Sequence, residues 1–89
     1  MRLPARVKEV KYLDGHRLLI EFKDGSRKIF DMQKNIEKGG IFGPLHTIEF
    51  FKMVSVNPAT ETIEWPNGAD ICPDTLYHDG VDADVEAVR

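Results

Sequence analysis

Hydrophobic and polar positions alternate through the first third of the chain. Leu18, Ile20 and Phe22 occupy every second position of Arg17–Phe22, the spacing that lines one face of a β-strand. Arg6–Leu13 and Arg27–Asp31 read as flanking strands, with Phe30 on the inner face. Asp14-Gly15 and Asp24-Gly25 separate the three, and glycine supplies the positive φ that tight hairpin turns require. The pattern predicts a three-stranded antiparallel meander.

The period changes after Asp31. Asp31 can cap a short helix over Met32–Lys38, which Gly39-Gly40 would end. Ile41, Phe42 and Leu45 follow around Gly43-Pro44, and a second helical turn is expected over Leu45–Lys52. Phe50, Phe51 and Met53 make a dense apolar knot, read as the layer that covers the sheet. Val54–Asn57 and Thr62–Trp65 read as strands joined at Pro58-Ala59-Thr60. Pro66-Asn67-Gly68 is a strong turn signal, with a short return strand expected at Ala69–Ile71. Pro73–Tyr77 reads as one helical turn.

These elements predict a two-layer α+β fold, antiparallel β-hairpins forming a meander covered by short helical segments. Residues 1–78 read as a single domain. Residues 79–89 form an acidic tail, expected to be weakly helical or disordered; Val81, Val85 and Val88 are spaced for an amphipathic stripe. A common core is expected from Leu18, Ile20, Phe22, Phe30, Val54, Val56, Ile63 and Trp65.

Charge adds an asymmetry. Net charge is −3, but residues 1–30 carry +4, residues 31–60 carry none and residues 61–89 carry −7. Such ends attract each other, within one chain or across a dimer. Nucleic acid would need the seven basic residues between Arg6 and Lys28 on one face with interleaved aromatics. Phe22 and Phe30 are expected to point inward instead, so no direct nucleic-acid binding is expected. No apolar run is long enough to cross a bilayer. No apolar h-region follows Met1, so no signal peptide is expected and the chain reads as cytoplasmic, without membrane association. The single cysteine, Cys72, excludes an intramolecular disulfide and is expected to be buried and structural.

Two constellations could carry chemistry. Glu64, Asp70, Asp74, His78 and Asp79 gather acids and an imidazole near one turn, donors suited to a divalent cation. The competing reading has Asp70 and Asp74 bracing the turn through Asx-type bonds and a helix cap. Trp65 and Tyr77 flank the Asn67-Gly68 turn, where exposed aromatics would suit a partner protein. Trp65 reads better as a core anchor, Tyr77 as an interface residue. No phosphate loop, EF-hand spacing or metalloprotease histidine pair is present. No catalytic residue, metal site or cofactor is therefore assigned.

Trp65-Pro66-Asn67-Gly68-Ala69-Asp70-Ile71-Cys72-Pro73-Asp74-Thr75-Leu76-Tyr77 resembles the C-terminal signature of a small bacterial family catalogued as domain of unknown function 2442. Asp24–Asp31 resembles its turn and third strand, and Gly40–Leu45 its central Gly-x-Phe-x-x-Leu element. The resemblance covers about Pro4–Tyr77. It implies no catalytic residues. Some relatives carry a following helix-turn-helix domain, for which this chain is too short. Relatives are often encoded beside another small protein, which implies a toxin–antitoxin-like pairing.

The expectation is a non-enzymatic protein-interaction module. It would self-associate as a dimer or bind a small partner protein, with Trp65, Asn67, Asp70, Asp74 and Tyr77 as candidate contacts. The alternative is a minor metal-dependent or hydrolytic enzyme using the Asp70–His78 turn.

Overall fold

Leu18 sits opposite Tyr12 on one side and Phe30 on the other. This row of cross-strand pairs sets the register of the main sheet in the computed structural model, which describes residues 5–83. Strands β1 (Val7–Asp14), β2 (Arg17–Phe22) and β3 (Arg27–Asp31) form the predicted antiparallel meander. Gly15 at φ +47° and Gly25 at φ +92° make its two turns. The Asp24 carboxylate accepts the N–H of Ser26 and fixes the second turn. Register shifts near Lys8 and Leu13 kink β1, an edge device absent from the sequence-based expectation.

Helix α1 (Gln33–Lys38) follows directly. Asp31 accepts the N–H of Gln33 at 2.8 Å, and Gly39 at φ +78° ends the helix. The helical turn expected over Leu45–Lys52 is split in two. A 3₁₀ helix spans Gly40–His46 and α2 spans Ile48–Phe51, with Thr47 extended between them. Pro44 lies inside the first piece and has no N–H to give, so an α-helical ladder cannot run through it. Leu45 and Phe51 are fully buried and anchor this layer.

Strands β4 (Ser55–Asn57) and β5 (Thr62–Glu64) form a separate two-stranded ribbon packed beside β1. The return strand expected at Ala69–Ile71 reduces to one bridge, Glu64 with Asp70. The Trp65 backbone N–H bonds the Ala69 carbonyl and closes the turn. Ile71 then dives into the core while its carbonyl accepts the Thr62 hydroxyl. Helix α3 (Pro73–Asp79) begins with proline at its first position, where the missing N–H is harmless.

The expected domain end at residue 78 falls inside α3. Asp79 completes that helix, and β6 (Val81–Asp82) pairs with β3, giving a four-stranded sheet in the order β1-β2-β3-β6. Residues 84–89 of the expected tail, including Val85 and Val88, lie outside the described residues.

The core fills one face of this sheet. Leu18, Ile20, Phe22, Phe30, Ile63 and Trp65 are buried as expected, joined by Met32, Ile36, Leu45, Phe51, Ile71 and Leu76. Val54 and Val56 are only half-buried and pack against the core from its rim. The fold is therefore α+β.

Candidate functional site

The Trp65–Tyr77 run is a set of structural fastenings. Trp65 is buried, and its indole N–H donates to the Phe51 carbonyl at 2.9 Å. That bond ties the ribbon to α2 and takes Trp65 off the surface, so it is no partner contact. Asn67 accepts the Ala69 N–H through Oδ1 and donates from Nδ2 to the Ile41 carbonyl at 2.9 Å. Gly68 sits at φ +91°, which a turn of this hand needs.

Asp74 does not cap α3 with its side chain; it accepts the Ala5 N–H at 3.2 Å and holds the backbone just before β1 against the helix. Asp70 is exposed beside the bridge to Glu64, and Glu64 accepts from Asn57. The Asx-type turn bonds come from Asn57 and Asn67 instead. Among the described residues no three His, Cys, Asp or Glu side chains converge as a metal site would require. The acidic cluster read from the sequence is thus dispersed over several separate contacts.

Tyr77 is half-buried. Its hydroxyl donates to Asp24 at 2.9 Å and lies 3.2 Å from the Ser26 hydroxyl. Its ring packs on Phe22 at 4.9 Å, under the Lys28 ammonium. These contacts tie α3 to the β2–β3 turn. The Ser26 N–H, the Ser26 hydroxyl and the Tyr77 hydroxyl together hold the Asp24 carboxyl below its ordinary pKa.

Cys72 is exposed, contrary to the expectation of a buried thiol. It follows the buried Ile71 on extended backbone, where successive side chains point to opposite sides.

The charge asymmetry is resolved within one chain. Arg6 and Lys23 both reach Glu61, and Lys28 reaches Asp82 at 2.7 Å. Glu61 has a left-handed φ of +59°, and its carbonyl accepts the Val7 N–H. Its bond to the Lys23 ammonium, with the charges of Lys23 and Arg6, lowers the Glu61 pKa. Lys8 pairs with Glu21 and Arg17 with Asp14, so five of the seven basic residues are already matched.

The covering layer expected from Phe50, Phe51 and Met53 turns only part of the apolar surface after Gly40 inward. Leu45 and Phe51 are buried, but Ile41, Ile48 and Met53 are 50, 37 and 58% exposed, with Phe42 and Phe50 half-buried. The signal for this was the number of large apolar residues between Gly40 and Met53, more than short helical pieces can turn inward.

A family model described as "Protein of unknown function (DUF2442)" matches residues 7–82. The chain belongs to the DUF2442 family. The matched segment begins with the first residue of β1 and ends with the last of β6, so it coincides with the four-stranded sheet and everything between its ends. No curated protein and no solved structure matches. The part of the DUF2442 pattern legible at Trp65–Tyr77 therefore has a physical account as a folding element. It closes the ribbon, docks α2 and starts α3.

Among the described residues no helix is long and apolar enough to cross a membrane.

Proposed function

We infer that this DUF2442 chain is a non-enzymatic interaction module of the bacterial cytoplasm that binds a small partner protein, in a toxin–antitoxin-like pair. The carrying observation is the exposure of Ile41, Ile48 and Met53 on one continuous stretch of the covering layer. Large apolar side chains left in solvent in this way favour a protein contact. Of the candidate contacts read from the sequence, Asn67 is the one joined to this stretch, through the Ile41 carbonyl. Asp70 and Tyr77 belong to other parts of the surface, and Asp74 holds Ala5.

The test is comparative capture from the native host with the wild-type chain and with the double variant Ile41→Lys, Met53→Lys. Both positions are half or more exposed, so the variant should fold. A small protein recovered in stoichiometric amount with wild type and lost with the variant supports the reading. Equal recovery with both, or recovery of no stoichiometric protein, overturns it.

A further inference from the structure

The main sheet has a second face. Leu18, Ile20, Phe22 and Phe30 point into the core, so the residues between them point away from it. Cross-strand pairing aligns Lys11, Leu19, Ile29 and Val81 in one row across all four strands on that far face. Val81 is 51% exposed, and Leu19 and Ile29 are half-buried among longer neighbours. The molecule is a slab, 35 × 34 × 19 Å, with its core on the other side; at the Asp31 end of this face Arg17, Ile29 and Val81 share a hollow with Gln33 and Glu37 of α1.

Four charges surround the central Leu19–Ile29 pair. Arg17 lies opposite Asp31 at one end, where it also holds Asp14, and Glu21 lies opposite Arg27 at the other, where Lys8 also reaches it. The signs alternate at the four corners: Arg17 positive, Asp31 negative, Arg27 positive, Glu21 negative. Such a square is self-complementary. A two-fold axis lying in the face and parallel to the strands exchanges β2 with β3. It sets Arg17 on the second copy's Asp31, Glu21 on its Arg27 and Leu19 on its Ile29, each contact made twice. The same rotation lays the stem of Lys11 on Val81, where the aliphatic chain can cover the valine while the ammonium reaches water.

We propose that this face is the contact surface for a second copy of the chain, giving a two-fold dimer of aligned sheets. This deepens the reading of the chain as an interaction module, but uses a different surface from the Ile41–Met53 stretch. Sheets packed in this way keep their strands within about 30° of each other. Strand spacing of about 4.8 Å and a rise of about 3.4 Å per residue give a face of roughly 400 Å² in projection. Contacts of that size belong to the weak class, below about 1,200 Å² in total. In a weak dimer the charge match decides whether association occurs, since like charges set together oppose it directly.

The test is sedimentation equilibrium at high micromolar concentration with wild type, Glu21→Lys, Arg27→Glu and an equimolar mixture of the two variants. Wild type should approach twice the 10.1 kDa chain mass. Each variant alone should be a monomer. In Glu21→Lys the introduced ammonium would face the second copy's Arg27, and in Arg27→Glu the introduced carboxylate would face its Glu21. The mixture should dimerise again. The introduced ammonium of one chain then meets the introduced carboxylate of the other, and the remaining Arg27 meets the remaining Glu21. Recovery in the mixture cannot arise from pairs within one chain, so it also shows that each variant folds. A monomeric wild type, variants that dimerise alone, or a mixture that stays monomeric overturns the proposal. Arg27→Glu should leave partner capture through Ile41 and Met53 unchanged, so the two readings fail separately.

Discussion

The indole N–H of Trp65 and the carbonyl of Phe51 join the two-stranded ribbon to the helical layer through one buried hydrogen bond. The rings also pack against each other, centroids 5.8 Å apart. Trp65→Ala should therefore cost about 3–5 kcal/mol, the range for deleting a large buried ring. Trp65→Phe keeps a ring but loses the donor, which alone is worth about 0.5–1.5 kcal/mol. Urea denaturation followed by circular dichroism measures both. A loss below about 1 kcal/mol for the alanine variant would contradict the buried placement.

Gly80 links α3 to β6 at a point with no room for a side chain. A Cβ there would lie 2.6 Å from the Leu76 carbonyl oxygen and 2.8 Å from the Lys28 Cβ. The residue's φ of −72° is ordinary, so the constraint is space and not backbone freedom. Gly80→Ala should destabilise by about 1–3 kcal/mol, as overpacking does. Gly43→Ala, where a Cβ meets nothing within 4 Å, serves as the control. Equal melting temperatures for the two variants would show that β6 does not pack as described.

The contrast between these two positions shows what was legible in the sequence. Period 2 in Arg17–Phe22 and the two Asp-Gly turns determine the meander locally, so its strands could be read directly. Gly80 and β6 could not, because Val81–Asp82 is too short for any periodicity and forms only by pairing with β3. Trp65 was readable as an anchor from its size, whereas its partner Phe51 lies far along the chain. The acids near the Asn67-Gly68 turn are close in sequence but do not converge, which the one-dimensional pattern leaves open between a cation site and a braced turn. Asp74 turns to Ala5 and Glu64 to Asn57, in different directions. The far face of the sheet did leave a trace: Leu18-Leu19-Ile20 is an unbroken apolar run, and Leu19 breaks the alternation that a solvated face would keep.

Cys72 should react with a soluble disulfide reagent in the native protein. The exposed thiol calls for one rapid equivalent per chain without denaturant. Labelling that appears only in urea would place the thiol inside.

Random-sequence duplex DNA should not be bound. Five of the seven basic residues between Arg6 and Lys28 already hold acidic partners, and releasing them would break the contacts of Arg6 and Lys23 with Glu61 and of Lys28 with Asp82. Phosphate binding rests on free cations and a steep salt dependence. A micromolar complex that weakens with rising salt would refute this.

Stability should fall on the acid side through three carboxylates. Asp14 is held down by its bond to Arg17, Asp24 by Ser26 and Tyr77, and Glu61 by Lys23 and Arg6. Each has a folded-state pKa below its unfolded value. The unfolded chain therefore takes up protons first as pH drops, and the native state loses ground. Their contribution is complete above the ordinary carboxylate range, about pH 4–4.5, and is lost progressively below it. Asp14 and Asp24 are exposed and Glu61 is half-buried beside exposed Arg6 and Lys23, so raising the salt concentration should shrink the effect of the ion pairs at Asp14 and Glu61. The hydrogen bonds that Asp24 accepts from Ser26 and Tyr77 should be less sensitive. Unfolding free energy from urea titrations between neutral pH and about pH 3 tests this, with Glu61→Gln and Asp24→Asn alongside wild type. Both variants should start less stable at neutral pH and show a shallower acid limb, with the Glu61 difference alone reduced by salt. A profile in which all three proteins fall with the same slope would show that these carboxylates do not govern the acid limb.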